Sequence, residues 1–556
     1  MLTKKQTFKS NFGGAFGFIR KNISIKALLL SIVYIVLSAI GHWKLVIDKT
    51  AFFEAPPLFL LLQLIFKAFA VLFILFFGQA VQYSFKHRRN EKIRRFLKYF
   101  GIYFAAMLGF LLLTYPGAWC WDEFSLLEGA RKGFISTWQH VLTQVFYSIS
   151  LNIIPFNVGV LIIQLFIVSL IVGYVMLKLS CHIKPRLVYL FYIPMLLPPI
   201  IYFNLLPMRM TLYSFLELFL FVSVFFAYIE KKKLTYPTVV SWGILSTILC
   251  LWRSEGIIFY VLFPLLLVIL FFKQIKIKQI ALIAAIMLVI SLPVNYLQNI
   301  EQITSDRYFI TGIMQPLYSI LKSGFNSDTP EEDIKIIDNV IDVEKFISAP
   351  TAEIAFWTTE KWDFTEDEFA LFRKTVIKLF LNNKETLMKD RFEVFLDGSG
   401  LRGNARISSS DYSESDFRWN TSGLQGFWNA PLSKPINADL RRAVLNILRC
   451  SPLDTSTDLI REDANAFSVY AIFYNLFAVL ALCIIAVIIL LFGKMRRCVF
   501  FYLALLAQAA VTFATSPSPY FMYYQPLFTN ALAFTVIAVL LYAANFKNKK
   551  DEPLGL

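Results

Sequence analysis

The chain has 556 residues, 57% of them apolar and 16% aromatic, with a formal net charge of +16 and a mean hydropathy of +0.59. Such apolar content excludes a soluble globular domain of ordinary composition and marks an integral membrane protein. The basic excess does not point to nucleic acid, because Lys and Arg stand in short clusters between apolar runs instead of on one folded face; the positive-inside rule accounts for them.

The N-terminal stretch carries Lys4, Lys5, Lys9, Arg20 and Lys21 ahead of an apolar run at 24–42. No small-residue cleavage site follows that run, so it is expected to be a retained first span and not a signal peptide. Further apolar stretches lie at 57–84, 97–114, 157–177, 187–203, 211–229, 236–251, 256–272, 279–296, 467–492, 498–514 and 526–545. Each is close to the roughly 17–25 residues that a ~30 Å hydrocarbon core demands. The predicted fold is an all-α polytopic membrane protein of about twelve transmembrane helices. Its predicted divisions are an N-terminal membrane region at 1–296, an extracytoplasmic segment at 297–466, and a C-terminal membrane region with a short tail at 467–556.

An external acidic loop is expected at 115–156 and opens with YPGAWCWDEF, which sets Asp122 and Glu123 directly after a span. In the following run, 139–153, His140, Thr143, Gln144, Tyr147 and Ser148 share one helical face, and Val141, Leu142, Val145, Phe146 and Ile149 take the other. Short for a span, this helix is expected to lie in the membrane interface. The basic clusters at 86–95, 178–186, 231–233, 273–278, 494–497 and 547–550 then fall on the side of the N-terminal tail. Both termini are therefore expected in the cytoplasm of a plasma-membrane protein, with the acidic pair outside.

The same topology puts Arg209, Arg253, Glu255, the SPSPYFMYY stretch at 516–524 and the segment 297–466 on the outer side. That segment is rich in Asp, Glu, Ser, Asn and Gly, with predicted helices at about 331–347, 365–381 and 436–449 and a loop at 397–423. PEED at 330–333 and TEDE at 365–368 read as helix starts.

Two readings stand for each candidate site residue. Asp122 and Glu123 are interfacial acids, or a general base partly desolvated beside Trp119, Trp121 and Phe124. Arg209 and Arg253 break the charge bias, either by snorkelling, with Glu255 neutralising Arg253, or as planar forks for phosphate. His140 is an interfacial polar residue or a phosphate or substrate contact. Phe417, Trp419, Phe427 and Trp428 are core, or a platform for a sugar. Glu217, in YSFLELFLF, is the acid found inside a span. The six cysteines show no metal-ligand spacing, and GxxxxGK[ST], HExxH, GxSxG and a GxGxxG following a strand are missing. No cofactor is required by the sequence. A divalent metal is compatible with the acidic pair, but two ligands do not make a site.

WDEF at 121–124 after a span, the amphipathic helix with His140, LWRSEG at 251–256 and SPSPYFMYYQP at 516–526 together resemble the GT-C superfamily of polytopic glycosyltransferases. That superfamily includes protein O-mannosyltransferases, aminoarabinose transferases and oligosaccharyltransferases. The resemblance covers roughly 97–300 and 467–545. It implies a GT-C-like membrane fold, a polyprenyl-phosphate-linked sugar as donor and an envelope glycan, lipid or protein as acceptor. It further implies Asp122 as catalytic base supported by Glu123, Arg209, Arg253 and His140 toward the donor phosphate, and Glu255, Tyr520 and Tyr523 as support. The chain departs from the family pattern in having two spans before the acidic loop instead of one. It also offers Tyr520, Tyr523 and Tyr524 where an Arg-Tyr pair is usual. Two further readings stay open: a secondary transporter or lipid flippase, and a polymerase or ligase of polyprenyl-pyrophosphate-linked glycans.

Overall fold

The structure is a computed structural model and describes residues 24–133, 139–300, 302–352, 355, 359, 361, 363–401, 427, 430–450, 472–492 and 496–548. No β-strand occurs among them. The N-terminal helices are α1 (Ile25–Gly41), α2 (Pro57–Lys86) and α3 (Glu91–Leu113). Their starts are written locally. The Ser24 side chain accepts from the Ala27 amide, Pro57 occupies the first turn of α2, and the Asn90 side chain accepts from the Lys92 and Ile93 amides.

After these come α4 (Trp121–Lys132), α5 (Val141–Ile153) and α6 (Gly159–Leu179). The apolar run expected as one span at 187–203 is instead Leu187–Met195 followed by α7 (Pro198–Asn204), bent by 70°. Pro198 and Pro199 follow that break, and proline cannot continue the preceding hydrogen-bond ladder. Then follow α8 (Arg209–Ile229), α9 (Tyr236–Trp252), α10 (Phe259–Phe271) and α11 (Ile277–Gln298).

Among the described residues nine helices are long and apolar enough to cross a bilayer, or ten with the bent pair as one span. The chain is thus a multi-pass helical membrane protein. The difference from twelve arises where an apolar run is broken by proline or yields a short helix, as at Tyr236–Trp252 and Leu476–Leu491.

Burial grades from centre to edge. In α8, 72% of the apolar window is buried, against 22% in α2 and 17% in α11, so α8 is the axis and α2 and α11 face outward. α8 packs on α6, on α9 and on α19 (Gln525–Asn548), the last helix, which follows α17 (Leu476–Phe492) and α18 (Val499–Thr515). α3 lies along α6, where a Cβ on Gly173 would come 3.1 Å from the Phe100 backbone. Small residues allow such approach where lipid supplies no hydrophobic drive.

The described helices of 297–466 fall into two groups. α12 (Gln302–Ser323), α13 (Pro330–Asp338) and α14 (Glu366–Asn382), with the short helix Val343–Ser348, enclose a second core with Leu317, Ile337, Phe346, Phe372 and Val376, and α15 (Lys384–Gly398) packs along α12 and turns Phe395 to the main core. Thr365 and Glu368 form the capping box that starts α14, as TEDE suggests. α16 (Ala438–Arg449) instead joins the main core through Leu445 and Leu448. Most of the loop expected at 397–423 lies outside the described residues.

Candidate functional site

The turn between α3 and α4 is held from several sides. Gly117 has φ +97°, and a Cβ there would lie 2.3 Å from Leu161 Cδ1 and 2.9 Å from the Leu205 carbonyl, so this position takes glycine alone. The Ala118 amide donates to the Leu205 carbonyl at 2.9 Å, and Trp119 Nε1 donates to the Pro116 carbonyl at 3.0 Å. α4 therefore begins at a defined place, with Asp122 and Glu123 in its first turn at the positive end of the helix dipole. Behind them Phe427 packs on Trp119 and Phe124, with ring centroids 4.7 and 5.1 Å away. Phe427 is fully buried and is core; Phe417, Trp419 and Trp428 lie outside the described residues.

The two acids differ. Asp122 is half-buried, whereas Glu123 is fully buried and neither of its carboxylate oxygens has a side-chain hydrogen-bond partner among the described residues. Burial and the neighbouring Asp122 push the Glu123 carboxyl up to about 8, with its own backbone amide, Arg209 and the Cys120 amide acting in the opposite direction.

α5 corrects one expectation. Its polar stripe does not face the interface: Thr143, Gln144, Tyr147 and Ser148 are buried, and Leu142, Val145, Phe146 and Ile149 are the partly exposed residues. Gln144 Nε2 donates to the Leu126 carbonyl of α4 at 3.0 Å, and the Tyr147 hydroxyl donates to the Pro207 carbonyl at 2.8 Å. Gln144 Nε2 and the Tyr147 hydroxyl find partners inside the protein, Thr143 Oγ1, Gln144 Oε1 and Ser148 Oγ have none among the described residues, and the apolar stripe is left on the outside. His140 is the N-cap of α5, its Nδ1 accepting from the Leu142 amide at 3.5 Å. Burial and Arg209 hold its imidazole down at about 4, so it is neutral near pH 7.

Arg209 opens α8, at the same end. Its Nη2 donates to the Tyr308 hydroxyl of α12 at 3.0 Å, and its carbonyl accepts from Trp252 Nε1 at 3.1 Å. Arg209 is in electrostatic reach of Asp122 and Glu255. Tyr523 interacts with Tyr520, Tyr308, Arg209 and Asp122, its ring centroid 6.1 Å from that of Tyr520. Arg253 is turned elsewhere: its Nε donates to Glu255 Oε1 at 2.6 Å, its Nη2 bonds the same oxygen, and both residues are buried. The structure thus gathers Asp122, Glu123, His140, Arg209 and Tyr523, and leaves Arg253 and Glu255 as a paired unit beside Tyr213.

Three contributors escape the sequence reading. Tyr308 sits in the 297–466 segment, and nothing in its spacing signals a role. Arg441 Nη2 donates to the Gly117 carbonyl at 2.9 Å, and Arg449 Nη2 to the Tyr202 hydroxyl at 2.8 Å. These two did leave a trace, since Arg441, Leu445, Leu448 and Arg449 fall at i, i+4, i+7 and i+8 and form the buried face of α16.

Among the described residues no group of three or more His, Cys, Asp and Glu is arranged to hold a metal ion. No protein-family model, curated protein or solved structure matches the chain. The chemistry on offer is that of a half-buried carboxylate, a buried carboxylic acid, a guanidinium and phenols at one end of a helical bundle.

Proposed function

We propose that the protein is a GT-C-type glycosyltransferase that moves a sugar from a polyprenyl-phosphate carrier to a cell-envelope acceptor outside the cytoplasm. The observation that carries this reading is the meeting of Asp122 and Glu123 with Arg209, Tyr308 and Tyr523, drawn from four separate parts of the chain. Asp122 is the general base: it is the more accessible of the pair, and the helix terminus and Arg209 both favour its charge. Glu123 stays protonated and donates a hydrogen bond, a division of labour between adjacent carboxyls set by their surroundings. Arg209 recognises the donor phosphate, its fork shared with Tyr308. Arg253 takes part through Glu255 and contributes less to phosphate, and His140, being neutral, positions α5.

The topology belongs to the same proposal: counting the bent pair and two of the three shorter apolar helices, Tyr236–Trp252 and Leu476–Leu491, as crossings brings the spans to about twelve, with both termini cytoplasmic. Cysteines introduced at Ser323 and at Asn90, both exposed, test it: only the first should react with an impermeant thiol reagent in intact cells, and labelling at Asn90 would invert the sidedness. The function is tested by incubating the purified protein in liposomes with a radiolabelled polyprenyl-phosphate sugar and envelope extract. Label should pass to the acceptor. Transfer only from oligosaccharide on a pyrophosphate carrier would favour the polymerase or ligase reading. The transporter reading has one observation in its favour, the buried Glu217 within α8, and predicts no transfer by the wild-type protein.

A further inference from the structure

Arg209, Tyr213 and Glu217 stand at i, i+4 and i+8 of α8, one face of the helix, so Glu217 lies about 12 Å inward from the candidate site. Glu217 and Asn530 are fully buried and Gln508 is nearly so. Asn530 Nδ2 donates to Glu217 Oε2 at 2.7 Å, and Gln508 Nε2 donates to the Tyr213 hydroxyl at 3.0 Å. With both amide nitrogens so engaged, Glu217 Oε1, Gln508 Oε1 and Asn530 Oδ1 have no hydrogen-bond partner among the described residues. The Gln508 amide also acts on the Glu217 carboxyl, which brings the three side chains together, and the charged side chain that acts on Glu217 is Glu255, of like sign. A carboxylate buried in a span without a positive partner is costly, and so is each unmatched amide oxygen.

We propose that Glu217, Gln508 and Asn530 bind one alkali-metal cation between α8, α18 and α19. Three oxygens, one of them anionic, are the donor type that hard cations take. A single carboxylate balances a single positive charge, and a divalent ion would leave net charge in the bundle interior. The ion satisfies all three oxygens at once and ties α8 to the two C-terminal spans. This site is independent of the glycosyltransferase reading, which can fail without affecting it.

The test uses the purified full-length protein in detergent at fixed pH and ionic strength, with sodium, potassium or choline chloride as the salt. The expected result is a melting temperature higher by about 2 °C or more in sodium or potassium than in choline. Radioactive sodium or rubidium should bind at one per chain. Both effects should be lost in Glu217→Gln and reduced in Asn530→Ala, which keeps the carboxylate. Identical melting of the wild type in all three salts overturns the proposal, and this comparison needs no variant to fold. A salt effect that survives in Glu217→Gln overturns it too, because the ion then binds elsewhere.

Discussion

Buried charge is treated in opposite ways in the α12–α15 unit and around α4. In the first, Arg391 gives Nε and Nη2 to Asp390 at 3.0 and 2.6 Å and Nη1 to the Ser516 carbonyl at 2.7 Å. Asp390 also accepts from Gln315 at 3.0 Å and from Ser319, and buried Asp333 accepts from Lys378 at 3.1 Å. In the second, Glu123 is just as buried, yet no side chain among the described residues hydrogen-bonds either of its oxygens, and Asp122 adds repulsion. Saturated pairs are what a scaffold needs, since a half-satisfied buried charge destabilises it. An unsaturated acid held beside a second acid and an arginine is a cost that folding alone does not explain, and such groups concentrate at functional sites. The regions are coupled: Arg391 anchors the α12–α15 unit to Ser516, at the start of the stretch that carries Tyr520 and Tyr523.

The contrast predicts two kinds of damage. Asp122→Asn is nearly isosteric but takes no proton, so transfer should fall by roughly 10² to 10⁴-fold with donor binding and melting temperature close to wild type. Normal transfer by this variant would remove Asp122 as the base. Arg391→Ala should do the reverse, lowering stability by about 3–5 kcal/mol because Asp390 is left buried and unpaired. Turnover per folded molecule should hold, and Asp390→Asn on top of it should recover much of the loss. Denaturation and activity of the three proteins, measured together, decide whether that pair is scaffold or site.

Arginine substitutions sharpen the contrast within the site. Arg209→Lys keeps charge and loses the planar fork, so affinity for the lipid-phosphate donor should fall by about tenfold. Arg253→Lys should weaken donor binding less, because two of its guanidinium nitrogens already serve Glu255. Equal losses would mean that the Arg253–Glu255 pair opens to admit the donor.

Glu123→Gln bears on protonation. The folded-state carboxyl lies near 8, so the protonated form is the working one and transfer should decline through about pH 8. Gln preserves a donor and does not ionise, so the variant should stay within a few-fold of wild type at pH 7 and lose that alkaline limb. Stability shifts the same way. Between about 4.5 and 8 the native state binds more protons here than the unfolded state, so this group makes stability fall as pH rises through that window. An alkaline limb unchanged in Glu123→Gln would assign it to another group.

Much of the membrane architecture was legible because long apolar runs have few alternatives to spanning, and the acidic pair stood out by its position after α3. The interior of the site was less so. The stripe on α5 fits headgroups and a polar protein interior equally well, and only the packing of Gln144 on Leu126 and of Tyr147 on Pro207 separates them. Arg253 carried both of its readings in LWRSEG, and the structure pairs it with Glu255. Tyr308 reaches Arg209 across 99 positions of chain, a contact that no local pattern encodes.

His140 offers the smallest effect and separates a ligand from a cap. Asn is as good an N-cap as the side chains that helices favour there, so His140→Asn should keep the start of α5 intact. A neutral imidazole adds no charge for a phosphate, so donor affinity near pH 7 should change by no more than about threefold, in contrast to the roughly tenfold loss expected at Arg209. The difference should appear in acid. With the folded-state imidazole near 4 against an ordinary 6.5, the unfolded state binds the extra proton between those values, and wild-type stability drains away as pH falls through that window. The Asn variant has no such group, so its melting temperature should decline less from pH 6.5 to 4. A tenfold loss of donor affinity at neutral pH would instead place the imidazole against the phosphate.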